Sequence, residues 1–216
     1  MTTKPLRLTH LVKPSKSESK APLILMLHGY GSDENDLFSF ADYLPEKYTV
    51  ISVRAPYPMQ PMGNAWYAIN FDANANKFSD TKQAVSSREK IKTFIEEAIE
   101  AYNIDPNAIT LFGFSQGTIL SFATALTYPH LVNNIIGLSG YIDHNMIDPG
   151  DKDQLKTLNV FSSHGTMDQV IPVDWARKTP DVLKNYGISC EFKEFPSGHG
   201  VNQENFQALL HWLDKH

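Results

Sequence analysis

Residues 109–117 read ITLFGFSQG, and residues 118–126 continue TILSFATAL. The first run is short, largely apolar and rich in residues that favour strands; the second is long enough for a helix and stops at Pro129. Ser115 stands on the join, with Gly113 and Gly117 two residues to either side. A strand that turns sharply into a helix needs small neighbours at those two positions, and the helix N-terminus favours developing negative charge. The spacing therefore predicts a strand, a tight turn exposing Ser115 and a helix. The competing reading is an ordinary N-cap serine with packing glycines.

The same alternation extends outward. LRLTHLV (6–12), LILMLHG (23–29), YTVISVRAP (48–56), AITLFGF (108–114), NNIIGLSG (133–140), NVFSSHG (159–165) and CEFKEFP (190–196) are strand candidates. Most are nearly continuous in apolar residues, as strands buried on both faces are. Between them lie helical patterns. Residues 88–102 set Ile91, Phe94, Ile95, Ala98, Ile99 and Tyr102 on one stripe. Residues 32–44 read as one capped helix presenting Leu37, Phe40, Ala41 and Leu44, and residues 201–216 close the chain amphipathically. Residues 172–186 carry Pro180, which predicts a kink or a split into two short helices. Residues 13–22 read as a loop between two edge elements. Strand and helix signals in alternation predict an α/β domain with a mostly parallel sheet flanked by helices. Residues 55–83, with Pro56, Pro58, Pro61, Gly63, Trp66, Tyr67 and Phe71, form a long irregular segment of the kind that serves function.

Composition sets limits. The 216 residues are 42% hydrophobic and 20% charged, with a net charge of −5. That balance suits one self-supporting core and offers no basic run for nucleic acid or an anionic membrane. APLILML (21–27) is far too short to span a bilayer, and the N-terminal stretch has no apolar core of a signal peptide. The single cysteine, Cys190, excludes an internal disulfide, fits a cytoplasmic location, and is expected to pack as a small hydrophobe. A homodimer is compatible with this composition, which does not specify oligomeric state.

A serine hydroxyl is a weak nucleophile and needs a base, an orienting carboxylate and donors for the developing oxyanion. Asp168 follows the strand NVFSSHG in a loop with Gly165; Asp174, inside the next helix start, is its rival. Among eight histidines, His199 alone lies after both Ser115 and Asp168 in a glycine-flanked loop behind a strand. His28 and His164 read as structural partners of the loops they start; His10, His130, His144, His211 and His216 lie on surface-like or terminal stretches. The oxyanion donors are expected to be the backbone N–H groups of Gln116 and of Tyr30, in HGYG (28–31). Met59, Met62, Trp66, Tyr67 and Phe71 are candidates for an acyl pocket, with packing of the loop onto the core as the alternative for each. No H-E-x-x-H, cysteine cluster, dinucleotide fingerprint or Walker loop is present, so no metal or cofactor is expected.

The segments LMLHGYGSDENDL, NAWYAINFD, LFGFSQGTILS, SSHGTMDQVIPV and FPSGHGV, in this order, resemble the phospholipase/carboxylesterase family of α/β-hydrolases, which includes acyl-protein thioesterases. The resemblance runs from about residue 21 to the C-terminus. It implies an α/β-hydrolase fold without a large cap domain, residues 1–216 forming a single domain. It also implies a catalytic triad of Ser115, Asp168 and His199, an oxyanion donor at Tyr30, where thioesterase members more often have leucine, and Trp66 near the acyl site. The family's thioesterases usually show W-F-D where this chain has WYAINFD (66–72). The activity expected is therefore serine carboxylesterase action on a small ester with a short to medium acyl chain. A thioesterase or lysophospholipase is the first alternative, and a catalytically silent binding protein of the same fold the second.

Overall fold

The computed structural model describes residues 3–17, 19–71 and 77–216, and the side chains of residues 71, 77 and 78 lie outside that description. The strands are β1 (His10–Lys13), β2 (Ala21–Leu27), β3 (Thr49–Val53), β4 (Tyr57–Pro58), β5 (Asn64–Ala65), β6 (Ile69–Phe71), β7 (Lys77–Ser79), β8 (Ile104–Phe114), β9 (Asn134–Leu138), β10 (Asn159–Gly165) and β11 (Cys190–Phe195). The α-helices are α1 (Glu34–Phe38), α2 (Thr81–Ala101), α3 (Gln116–Thr127), α4 (Lys152–Leu155), α5 (Val173–Ala176), α6 (Thr179–Asn185) and α7 (Gln203–Leu213).

Seven strands form one sheet in the order β1-β3-β2-β8-β9-β10-β11. Only β1 runs antiparallel to its neighbour; the other pairings are parallel. Successive side chains of a strand point to opposite faces, and β2 shows the consequence. Leu23, Leu25 and Leu27 pack on one face with Phe94 and Ile95 of α2 and Leu120 and Phe122 of α3. Ile24 and Met26 pack on the other with Leu37 of α1 and Leu209 and Trp212 of α7. Both faces are covered, which is why the strands read as continuous apolar runs. This is the α/β-hydrolase arrangement of a mostly parallel sheet between helices.

Several expectations change in detail. The strand expected at 6–12 begins only at His10. Residues 13–22 do not join two edges, because β2 lies inside the sheet; a strand buried along its length needs neighbours on both sides. The helix expected over 32–44 ends at Phe38 and resumes as a 3₁₀ turn at Ala41–Tyr43. The Ser39 hydroxyl donates to the Asp36 carbonyl at 2.7 Å, and the Phe40 N–H donates to Leu37 at 3.0 Å, so the helix tightens and stops. The helix seen at 88–102 starts earlier, at Thr81, under an Asp80 cap that accepts the Gln83 N–H at 3.0 Å. Residues 172–186 do split, and Pro180 sits in the first turn of α6, where its missing N–H costs nothing. The interval 55–83 holds two small ribbons, β4 with β5 and β6 with β7. His10 is buried rather than on the surface, bonded to the Leu8 carbonyl and to the Tyr102 hydroxyl.

Candidate active site

Ser115 follows β8 and caps α3 with φ 54° and ψ −117°, a conformation that costs a residue with a Cβ roughly 1–3 kcal/mol. The glycines explain how the turn fits. A Cβ at Gly117 would lie 1.9 Å from the Leu27 carbonyl oxygen, so α3 starts almost in contact with the end of β2. A Cβ at Gly113 would lie 2.6 Å from the Gly117 carbonyl oxygen. The Ser115 N–H donates to the Leu138 carbonyl at 2.8 Å, which pins the turn to the end of β9.

Three side chains converge on this turn from the C-terminal ends of the parallel strands. The His199 Nδ1–H donates to Asp168 Oδ2 at 2.7 Å. With that proton on Nδ1, Nε2 presents its lone pair to the Ser115 hydroxyl at 2.9 Å. Asp168 Oδ1 accepts the Val170 and Ile171 N–H groups at 2.8 and 2.9 Å, so the carboxylate is oriented on both oxygens. Burial raises the Asp168 pKa, but the bonds from His199, Ile171 and Val170 outweigh it and hold the carboxyl below its ordinary range. The Phe114 ring packs 5.0 Å from the His199 ring, centroid to centroid. The rival carboxylate, Asp174, lies in α5 and pairs with Arg177 at 2.7 Å.

The backbone N–H groups of Tyr30 and Gln116 meet no protein acceptor among the described residues, and both residues line the same cavity as Ser115. His28, fully buried, holds the first of them indirectly. Its Nδ1–H donates to the Gly29 carbonyl at 2.7 Å, while its Nε2 accepts the Ala55 N–H at 3.0 Å. The Gly29 carbonyl and the Tyr30 N–H belong to one planar peptide, so fixing the oxygen fixes the direction of the N–H. Burial lowers the His28 pKa, consistent with a ring that donates through one nitrogen and accepts through the other. The Gln116 side chain holds the central loop: it accepts the Trp66 N–H and donates to the Tyr67 carbonyl, each at 2.8 Å.

The cavity over Ser115 measures about 690 Å³. Among the expected pocket residues whose side chains are described, Tyr67 alone lines it. Trp66 is fully buried beneath it, with its indole N–H on the His28 carbonyl at 2.9 Å. Met62 is 78% exposed, and neither it nor Met59 borders the cavity. The Phe71 side chain lies outside the described residues. The walls include residues that the motifs did not mark: Ile119 from α3, Tyr141 and Asp143 after β9, and Val170 and Trp175 after β10. The general rule that loops after parallel strands line one crevice points to these segments without naming the side chains. Tyr141 stacks edge-on against Trp175 at 5.1 Å, and burial, followed by the charge of Asp143, pushes its hydroxyl up to about 12. Among the described residues no group of three or more His, Cys, Asp or Glu is placed to hold a metal ion.

The sequence profile of the phospholipase/carboxylesterase family matches residues 9–216. The chain belongs to the phospholipase/carboxylesterase family. It is a serine ester hydrolase. This family member is 28% identical to acyl-protein thioesterase 1 of Kluyveromyces lactis, an alignment covering 93% of this chain and 94% of the relative. It is 25% identical to a probable carboxylesterase of Oryza sativa subsp. japonica, over 89% and 77% of the two chains. Its fold matches that of a carboxylesterase from Mesorhizobium loti with a TM-score of 0.84 at 20% identity, covering 99% of this chain and 98% of that one. The family match takes in β1, which the motif-bearing region from residue 21 onward leaves out.

Proposed function

We propose that this esterase hydrolyses carboxylic esters of short to medium acyl chains, with Ser115 as nucleophile, His199 as base and Asp168 as its orienting acid. The observation that carries the reading is the continuous relay Ser115–His199–Asp168, with contacts of 2.9 and 2.7 Å, at a positive-φ turn opening a helix. His199 takes the hydroxyl proton as Ser115 attacks the ester carbonyl. The free N–H groups of Tyr30 and Gln116 receive the oxyanion. The alcohol leaves with the proton from His199, and water then releases the acid from the acyl-enzyme by the same steps. Asp168 keeps the imidazole in the tautomer that this requires.

The cavity supports the chain-length preference: Tyr67, Ile119 and Trp175 supply apolar wall, and the lining also includes polar residues such as Asp143 and Asn145. A small ester substrate, a single domain over residues 1–216 and a cytoplasmic location complete the proposal. The last draws support from the single cysteine, Cys190, which can form no internal disulfide. No described helix is long and apolar enough to cross a membrane.

The test is hydrolysis of p-nitrophenyl esters from acetate to palmitate, with Ser115→Ala in parallel. Turnover peaking at short or medium chains and falling roughly 10⁴-fold or more in the variant is expected. A peak at the longest chains would instead favour the thioesterase reading that the Kluyveromyces lactis relative's name suggests. Near-wild-type turnover in the variant would remove Ser115 from its role.

A further inference from the structure

The proposed relay's carboxylate has a neighbour that the chemistry above leaves unused. His164 is the next-to-last residue of β10, and its side chain, like that of Asp168, is fully buried. Its Nε2 donates to the Ile171 carbonyl at 2.9 Å and stands 3.1 Å from Asp168 Oδ2. Both only accept, so Nε2 carries the proton. Nδ1 is buried and meets no partner among the described residues, so every polar contact of the ring is on the relay side. Glu194, its register partner on β11, is a further charged group near it, and Arg177 holds that carboxylate through two bonds of 2.8 Å.

Asp168 Oδ2 therefore lies between two imidazole nitrogens, His199 Nδ1 at 2.7 Å and His164 Nε2 at 3.1 Å. We propose that His164 is a positioning residue for the relay: it closes the 168–171 turn on the Ile171 carbonyl and sets its Nε2–H edge beside Asp168 Oδ2. The proposal rests on the roles given above to Ser115, Asp168 and His199. Ile171 is held at both ends, its N–H on Asp168 Oδ1 and its carbonyl on His164, so the His164 ring fixes a residue that orients the carboxylate. The ring's N–H edge, 3.1 Å from Oδ2, also offsets part of that oxygen's charge. Without it, that charge acts on His199 alone and favours the protonated imidazole, in which the base is spent.

The experiment is kcat/KM for p-nitrophenyl butyrate as a function of pH in the wild type, His164→Leu and His164→Gln. A glutamine amide reaches where the imidazole Nε2 stands, whereas leucine fills the space without a donor. In His164→Leu, kcat/KM is expected to fall roughly ten- to a hundredfold, as for a buried carbonyl left without its donor, and the acid limb to move to higher pH. His164→Gln is expected to recover most of both. Should the leucine variant not fold, His164→Asn takes its place, because its amide stops short of the two oxygens. An acid limb at the wild-type position in the donor-less variant, or a glutamine variant no better than it, overturns the proposal and leaves His164 a packing residue. Ser115→Ala in the same assay separates the two claims, since its retained activity would sink the relay itself and not only the part given to His164.

Discussion

At the scale of single residues, the site depends on positions where an extra atom has nowhere to go. Gly117 is the sharpest case. A Cβ there would lie 1.9 Å from the Leu27 oxygen, so its absence lets α3 start against the end of β2. Gly117→Ala must push the helix off β2, and the expected result is a lower melting temperature together with loss of activity, because the Ser115 turn moves with the helix. An alanine variant that melts as the wild type does would contradict this packing. Asp168 makes a prediction through charge. Its folded pKa is held down, so its contribution to stability is present above the unfolded carboxylate value, about 3.9, and is lost as pH falls through the folded value. Urea midpoints of the wild type and Asp168→Asn should differ most near neutral pH and converge in acid. A gap that widens on acidification would reverse the sign argued here. Ser115, Asp168 and His199 were legible in the sequence because each follows a strand signal in a glycine-bearing loop and their order is constrained. His164 shows in the sequence only as a loop partner, because nothing in the spacing of H-G-x-x-D tells which way the ring faces.

At the scale of elements, α3 and the central loop hold each other. The Gln116 side chain sits between Trp66 and Tyr67 and satisfies one buried N–H and one buried carbonyl. The Gly31 N–H donates to the Asn64 carbonyl at 2.9 Å, and the Asn64 N–H to the Ser32 carbonyl at 2.7 Å, so the same loop is laced to HGYG as well. Gln116→Ala keeps the backbone N–H proposed for the oxyanion but leaves those two groups unpaired, at a cost of about 1–3 kcal/mol each. The expected outcome is a lower urea midpoint and a rise in KM that exceeds any fall in kcat. A fall in kcat alone would mean that the loop does not shape the pocket. The helix periods and the strand runs were visible in the sequence. The short ribbons within 55–83 were not, because strands of two or three residues are too short to show an alternating pattern, and the early end of α1 was not, because the Ser39 hydroxyl bond is a detail of geometry.

At the scale of the molecule, the parallel sheet gathers its loops at one edge. His199 lies 84 residues from Ser115 and 31 from Asp168 in the chain, yet touches both. The two apolar layers share the sheet between them: β2 and β8 contribute side chains to each. Neither layer can melt without exposing the other, so a single cooperative urea transition is expected, with far- and near-ultraviolet dichroism changing together. Two resolved transitions would defeat the single-domain proposal. The sequence by itself determined the strand order of events along the chain, the turn at Ser115 and the candidates for acid and base, because those depend on local periodicity and on residue types that few backbones accept. Tertiary structure decided which side chains wall the cavity, and it chose Tyr141, Asp143 and Trp175 over Met59 and Met62. Facing across a cleft depends on how separate loops pack together, which no local pattern records.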